Sequence, residues 1–535
     1  MSKQEKGKRK GSDGIFKIIG LVAVLLSAFL IWYIFLPVLN IHSLGFWIYL
    51  VIISTIAVSI LSIFSVKNSK FFIVPGGLLV AMLVLSIASN ALFNAKAYSG
   101  LIVKQEGSFE DDIKEASFDQ VPTIDRDTAI RLGSRKMGEM LDLVSQYNVS
   151  DYYTQINYKD KPVRVTPLKY NGVMKWLGNK DEGIPNYIIV DMIDGKVELA
   201  KLESNMKYSK SDKFSRNIDR HIKVSYPGDI IHEIGFEIND EGTPYWIAPV
   251  YKTNIGWFGG LDVTDVIITN AITGENTKYK VEDTPKWVDR VYDANMINKQ
   301  LNWSGKLQSG FLNSLFSQKG VTMVTEGYNY LAIDDDVYLY TGITSVGEDE
   351  SNIGFVLVNM RTKDTKFYKI SSAEEFSAME SAQGAVQEKG YISTFPILLN
   401  INNKPTYFMS LKDDGGLVKA YALVDAQNYQ EVTIGKSLSD IVALHSGNEV
   451  NVNNKDDNEN EITEEILNIT GDILDIKVAV LGGNTHYYII IEEDIFIANV
   501  NVSKELPFLK IGENVSLDYY NKNNLNTVIS MKLSK

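Results

Sequence analysis

There is no cysteine anywhere in this sequence. That excludes disulfides, zinc–thiolate sites and thiol nucleophiles together. Also missing are a G-x-S-x-G elbow, a phosphate-cradling P-loop and a histidine pair at zincin spacing. The most informative absence is local. Ile18–Leu39, Ser43–Val66 and Phe71–Phe93 contain no Asp, Glu, Lys or Arg. With no charge inside these runs nothing marks an ion or proton path, which argues against a channel or transporter.

What is there instead is apolar length. Each run reaches the ~20 residues that a helix needs to cross ~30 Å of hydrocarbon, so the sequence predicts three transmembrane helices over 18–94. Trp32, Tyr33, Trp47 and Tyr49 fit an interfacial aromatic belt. Lys3, Lys6, Lys8, Arg9 and Lys10 precede the first run, and Lys67 and Lys70 separate the second from the third. The first connector has no Lys or Arg. The positive-inside rule then puts the basic tail 1–17 in the cytoplasm and residues ~95–535 outside a multi-pass cell-membrane protein.

The charge is divided accordingly. The chain's net charge is −13, and residues 1–100 hold nine Lys/Arg against two Asp/Glu, a balance of +7 that leaves −20 for the rest. An acidic exported region argues against a grip on nucleic-acid phosphates. Many Asn, Lys and Ile without cysteine fit the composition of a low-GC Gram-positive bacterium.

Residues 95–122 read as a neck. Asp125 and Asp127 can cap a helix with Ile130, Met137, Met140, Leu141 and Val144 on one face. Then a pattern recurs: YIIVDMIDGKVELAKL from Tyr187, VIITNAITGENTKYKV from Val266, FVLVNMRTKDTKFYKI from Phe355 and AYALVDAQNYQEVTI from Ala420. Each is an apolar strand, an Asx residue, a small or Met residue, a turn and a second strand. The aligned turn residues are Asp191, Asn270, Asn359 and Asp425. An Asx side chain at a strand exit bonds the next backbone amides and starts the turn. Gly195 and Gly274 supply a positive φ. Lys363 and Tyr429 stand at that place in the other copies, so different turns are expected there. Helices are predicted over Pro285–Leu301, capped by Thr284, over Ala373–Lys389, with a Ser372/Glu375 capping box, and over Phe214–Ile222.

The expected fold class is α+β: three N-terminal transmembrane helices, then helix-plus-antiparallel-sheet units at 123–203, 204–283, 284–370 and 371–446. A polar linker at 447–462 and a small β-barrel at 463–535 follow. The helix, the antiparallel strands and the closing hairpin Ile267–Glu275 resemble PepSY domains, which have a cystatin-like fold. Val190–Lys196 and Val424–Glu431 resemble them too. The resemblance implies exported or membrane-tethered domains that bind or restrain other proteins and bring no catalytic residues. The G-D-I-L-D-I … L-K-I-G-E-N-V-S-L-D-Y-Y layout resembles an OB-like or SH3-like barrel.

Candidate chemistry is thin. His221 and His232, with Glu233 beside the second, can be read as a metal pair or as ordinary packed histidines, and the second reading is preferred. Asp334–Asp336 and Glu348–Glu350 offer oxygen ligands to calcium, against the preferred reading of solvated turns. Ser204 and Lys207 match S-x-x-K with no K-T-G in support. No metal, cofactor or catalytic residue is therefore assigned. Two aromatic segments stand out as interface candidates: NIGWFGGLD with Trp257 and Phe258, and NWSGKLQSGFLNSL with Trp303 and Phe311. The alternative for Trp257 is that it folds back onto a neighbouring unit, and the second segment is read as a loop that docks on a partner or on the membrane surface. Together these features point to a membrane-anchored extracytoplasmic binding or scaffold protein that is not an enzyme. The expected partners are membrane lipid and a cell-surface protein, and an oligomer stays open. Binding of a wall polymer or small ligand is the alternative, with a wall-acting hydrolase third.

Overall fold

In a computed structural model the chain is described over residues 3–64, 69–116, 121–346, 351–445 and, in the C-terminal region, most of 467–533. The 447–462 linker and the Glu348–Glu350 cluster lie outside the described residues. The chain divides into two units, Met1–Val450 and Asn451–Lys535.

The first unit begins with four helices: α1 (Lys3–Phe35), α2 (Leu44–Phe64), α3 (Ile73–Ala88) and α4 (Ala91–Ser99). Here the expectation of three spans is corrected. Among the described residues one helix, Ile18–Phe35, is long and apolar enough by itself to cross a membrane. Among the described residues the apolar stretch assigned to α2 is Leu44–Ile60, and the third run is not one helix: α3 and α4 meet at a 47° bend. At 16 residues α3 is about 24 Å long. The break has a local cause. Asn90 adopts extended backbone and its side chain accepts the amide of Leu92, so it caps a new helix inside an apolar run. The Asn94 amide group also bonds the Ala88 carbonyl across the bend, at 2.7 Å.

Four antiparallel five-strand cores follow, all with the same topology. The first holds Tyr147–Val149, Thr154–Tyr158, Lys161–Tyr170, Ile184–Asp191 and Val197–Met206. The second holds Ile230–Ile231, Gly235–Ile238, Pro244–Ile255, Gly259–Asn270 and Asn276–Lys280. Thr322–Val324, Asn329–Ile333, Asp336–Ser345, Ser351–Asn359 and Thr365–Tyr368 build the third. Ile392–Ser393, Ile397–Ile401, Lys404–Lys412, Val418–Asp425 and Val432–Gly435 build the fourth. In each, the long third strand pairs with the first two strands along its two halves and with the fourth strand on its other side. A helix precedes each: Arg126–Gly138, Ile218–Ser225, Ala294–Leu307 and Glu375–Ala385.

The sheets do not have separate cores. Alternate residues of a strand face opposite ways. Trp246 packs with Ile188 of the first sheet, while its neighbour Ile247 packs with Leu339 and Val356 of the third. Tyr340 and Phe355, beside those, pack with Tyr407 and Phe408 of the fourth. A sheet covered on both faces needs a continuous apolar strand rather than an alternating one. PYWIAPV is such a strand, buried throughout except at Tyr245.

The predicted helices are corrected in three places. Residues 285–293 are irregular, and the third helix starts at Ala294 with Asp293 as its cap, the carboxylate accepting from Met296 N. Ser372–Ala373 is a short strand, so Ser372 and Glu375 form no capping box. Glu375 is fully buried instead, accepting from Tyr340 and the Asn352 amide. The helix from Arg126 ends at Gly138, and Leu141 is exposed in a separate turn.

The second unit is a closed five-strand barrel. Its strands are Leu467–Leu481, Asn484–Ile491, Asp494–Asn499, Asn514–Lys522 and Leu525–Leu533. The third and fifth pair in parallel and the first closes on the fourth. Ile489, Phe496, Val515 and Leu517 fill its interior.

Candidate functional site

The four Asx residues make the same turn. Asp191 Oδ1 accepts from the amides of Ile193 and Asp194. Asn270 accepts from Ile272 and Thr273. Asn359 accepts from Arg361 and Thr362, and Asp425 from Gln427 and Asn428. The next residue, Met192, Ala271, Met360 or Ala426, is buried in every copy. Its carbonyl accepts from the segment that leads into the repeat's helix: Thr123 and Ile124, Lys207 and Tyr208, Val291 and Tyr292, and Ala373. So the Asx residue fixes the hairpin, and the hairpin holds the incoming chain. Lys363 corrects an expectation. It takes the left-handed conformation itself, φ 68°, as Gly195 and Gly274 do. The turn therefore matches theirs, and its ammonium pairs with Asp262 at 2.6 Å. The fourth turn is one residue longer, closing from Asp425 to Glu431.

The aromatic candidates gather elsewhere. The second sheet's third and fourth strands are joined by Gly256, Trp257 and Phe258. Gly256 and Gly260 have φ of 58° and 63°, which lets so short a loop turn back. Its tip sits against the ends of the apolar helices. The amides of Trp257 and Phe258 donate to Ser89 Oγ at 2.8 and 3.1 Å, and that hydroxyl donates to the Leu85 carbonyl. One donor and two acceptor positions are thereby filled. The Trp257 indole donates to the Ile41 carbonyl at 2.7 Å, and His42 Nδ1 lies 3.1 Å from the Trp257 carbonyl. Phe258 meets the Trp47 ring edge-on. A β-carbon on Gly259 would lie 2.2 Å from the Tyr98 hydroxyl and 2.7 Å from the Ser89 carbonyl. Only glycine fits there.

Trp303, on the Ala294–Leu307 helix, stacks edge-on against Tyr98 of α4 with ring centres 4.5 Å apart. Phe311 packs in the same cluster with Ala91 and Ala95. Nearby, Arg220 donates to the Tyr33 carbonyl and sits 4.5 Å from its ring. Leu39 N donates to Pro227 O, and the Asn40 side chain to Gly228 O. Trp257, Phe258, Trp303 and Phe311 therefore all contact the apolar helices of their own chain. Sequence reasoning missed Ser89, His42, Tyr98 and Arg220. The signal was the Ser89–Asn90 pair, polar within an apolar run.

A buried polar junction lies where the first three sheets meet. Glu237 accepts from the amides of Asp289 and Arg290, and Asp289 Oδ2 accepts from Asn157 N at 2.6 Å. The Arg290 guanidinium bonds the Tyr330 hydroxyl. Burial pushes the Asp289 carboxyl well above the usual carboxylate range, with the Glu237 charge adding to it. Burial also pushes Glu237 up, to about 7. Among the described residues Asp289 Oδ1 has no hydrogen-bond partner.

The remaining candidates lie apart. His221 Nε2 is 2.8 Å from the Gly274 carbonyl and its ring packs on Tyr208, whereas His232 packs on Tyr251. Asp336 is held by Arg361 and Asn359, and Asp334 by Lys114. Lys207 is held by the carbonyls of Asp181 and Glu182. Among the described residues no three His, Asp or Glu converge as a metal site. No protein-family model and no curated protein sequence matches the chain.

Proposed function

We propose that this chain is a membrane-anchored extracytoplasmic scaffold protein, built on PepSY-like repeats, that holds other proteins along open sheet edges and has no catalytic role. One observation carries the reading. The third sheet's fifth strand, Thr365–Tyr368, receives the neck strand Lys104–Gly107 in parallel register. The equivalent strands of the first and second sheets, Val197–Met206 and Asn276–Lys280, end their sheets with no further strand among the described residues. An edge of this kind takes an extended segment through main-chain hydrogen bonds. The chain already uses that mode on itself.

The anchor reading is of α1 crossing the membrane. The N-terminus is then cytoplasmic and residues ~95–535 lie outside. In support, the Trp257 loop reaches the start of α2 and the end of α3, and Arg220 the end of α1. The barrel is read as OB-like rather than SH3-like, on its strand order and its parallel third-to-fifth pairing.

The test is photo-crosslinking in intact cells. A crosslinking side chain is placed at Lys201 or Glu203, both exposed on Val197–Met206. A discrete adduct with a second polypeptide is expected, and none from Lys366, whose strand the neck covers. Adducts only from positions off the edges would end the reading.

A further inference from the structure

The segment after Trp303 makes a short excursion. Gly310 and Gly320, with φ of 91° and 67°, bracket it. Within it the helix Phe311–Leu315 turns Phe311 inward onto α4. Leu312, Leu315 and Phe316 are 66%, 56% and 80% exposed. They stand at i, i+3 and i+4, so they share one face. On α4 itself Leu92 and Phe93 are also exposed. The Phe311–Leu315 helix packs on α4 through Phe311, so these exposed apolar side chains lie on two neighbouring elements, and exposed apolar surface of that kind marks a contact surface.

Two observations say what covers it. The first is continuity: α4 follows directly from the apolar helix α3, across the 47° bend. The patch therefore begins where an apolar helix ends. The second is charge. The acidic region from residue 101 on balances −20, yet residues 294–325 contain no Asp or Glu and carry Lys299, Lys306 and Lys319. The stretch 69–105 has no acid either, and includes Lys96. Exposed apolar side chains on stretches that carry lysines and no carboxylate match an anionic bilayer surface, where apolar groups sink to the headgroup boundary and cations stay above it.

We propose that Leu312, Leu315 and Phe316, with Leu92 and Phe93, form a lipid-contacting surface that seats this side of the chain in the headgroup region of the bilayer. The proposal rests on the anchored reading above. It adds that the membrane is gripped by an ectodomain segment as well as by the apolar helices.

The absence of cysteine gives a clean test. Full-length protein carrying Phe316→Cys or Leu312→Cys is spin-labelled and reconstituted in vesicles of phosphatidylcholine and phosphatidylglycerol. Collision rates with oxygen and with a water-soluble nickel chelate are then compared. The expected shift is towards high oxygen and low nickel access, approaching the ratio at Leu25→Cys on α1. Free access to nickel would place the face in water and overturn the proposal. Shielding from both reagents would mean that protein, a partner or a second copy, covers it, and would overturn it equally. If Leu25→Cys itself fails to report hydrocarbon, it is the anchored reading that falls.

Discussion

Each sheet carries two connections that behave in opposite ways. The turn between the fourth and fifth strands is nearly the same four times. The connection between the third and fourth strands differs wherever it is described. In the first sheet it is a helix, Val173–Asn179. In the second it is the Gly256–Phe258 tip that grips Ser89 and Ile41. In the fourth it is a tight turn closed from Asp413 to Leu417, whose Gly416 carbonyl accepts from Thr128. The repeated turn anchors the chain that enters each repeat, so a change there disturbs the fold. The variable connection has no such duty, and it is where one sheet acquires a task that the others lack.

The largest expected effect breaks this contrast directly. Gly259→Ala puts a β-carbon into the Tyr98 hydroxyl and two backbone oxygens. Backbone cannot step aside cheaply, and a loss of about 3 kcal/mol or more is expected. Gly178→Ala, in the first sheet's connection, meets nothing within 4 Å. It should be neutral or stabilise its helix by up to about 1 kcal/mol. Thermal unfolding of the detergent-solubilised chain compares the two. Equal effects would mean that the second sheet's tip is no special grip.

The next concerns the junction, which neither kind of turn builds. Both carboxyl groups there are pushed up by burial. A folded-state pKa above the unfolded one stabilises below the unfolded pKa, and that stability is lost as pH rises through the folded value. For Glu237 the window runs from its ordinary 4.5 to about 7. The chain should thus lose stability as pH rises from about 4.5 through about 7. Asp289→Asn keeps an oxygen for Asn157 N and removes the charge. It takes the raised Asp289 carboxyl out of the titration and should make that loss shallower. A denaturation series across pH reads it, and an unchanged slope would refute it.

At the repeated turn the effects are smaller. Asn270→Ala removes the acceptor of two amides and should cost about 1–2 kcal/mol. Asp425→Ala, in the longer and more exposed fourth turn, should cost about half as much. The reverse order in thermal unfolding would show that turn length does not govern the contribution.

These positions also show how far the sequence could be read. The Asx turns were legible because one side chain and its neighbours decide them. The strands were legible from apolar runs bounded by turn residues. The stacking of the sheets was not, although PYWIAPV carried its mark in an unbroken apolar pattern. Nor was the start of the third helix, where Pro285 after Thr284 satisfies the local rule and Asp293 provides the cap used. The bend at Ser89–Asn90 was hidden because hydropathy averages over polar pairs. Trp257 was legible as an anchor, and folding back onto its own chain was one of its two readings, but the groups it meets were not legible. Its partners, Ser89 and Ile41, lie more than 150 residues away, and only the fold brings them together.

The finest test asks why the third repeated turn keeps a lysine where two others have glycine. A left-handed conformation costs a residue other than glycine about 1–2 kcal/mol. Lys363→Gly should recover about 1 of that. It also breaks the pair with Asp262, whose two side chains are 13% and 20% exposed. Asp262 lies on the strand that leaves the Trp257 tip, so the pair ties the third sheet's turn to the second sheet's gripping connection. A half-buried pair of this kind is worth about as much as the strain, and the single substitution should fall within about 1 kcal/mol of neutral. In an Asp262→Asn background the pair is already weakened. There Lys363→Gly should stabilise by about 1 kcal/mol. The double-mutant cycle isolates that coupling. A coupling near zero would make the lysine an accident of the turn, while the expected value makes it the point where the repeated and the variable connections are joined.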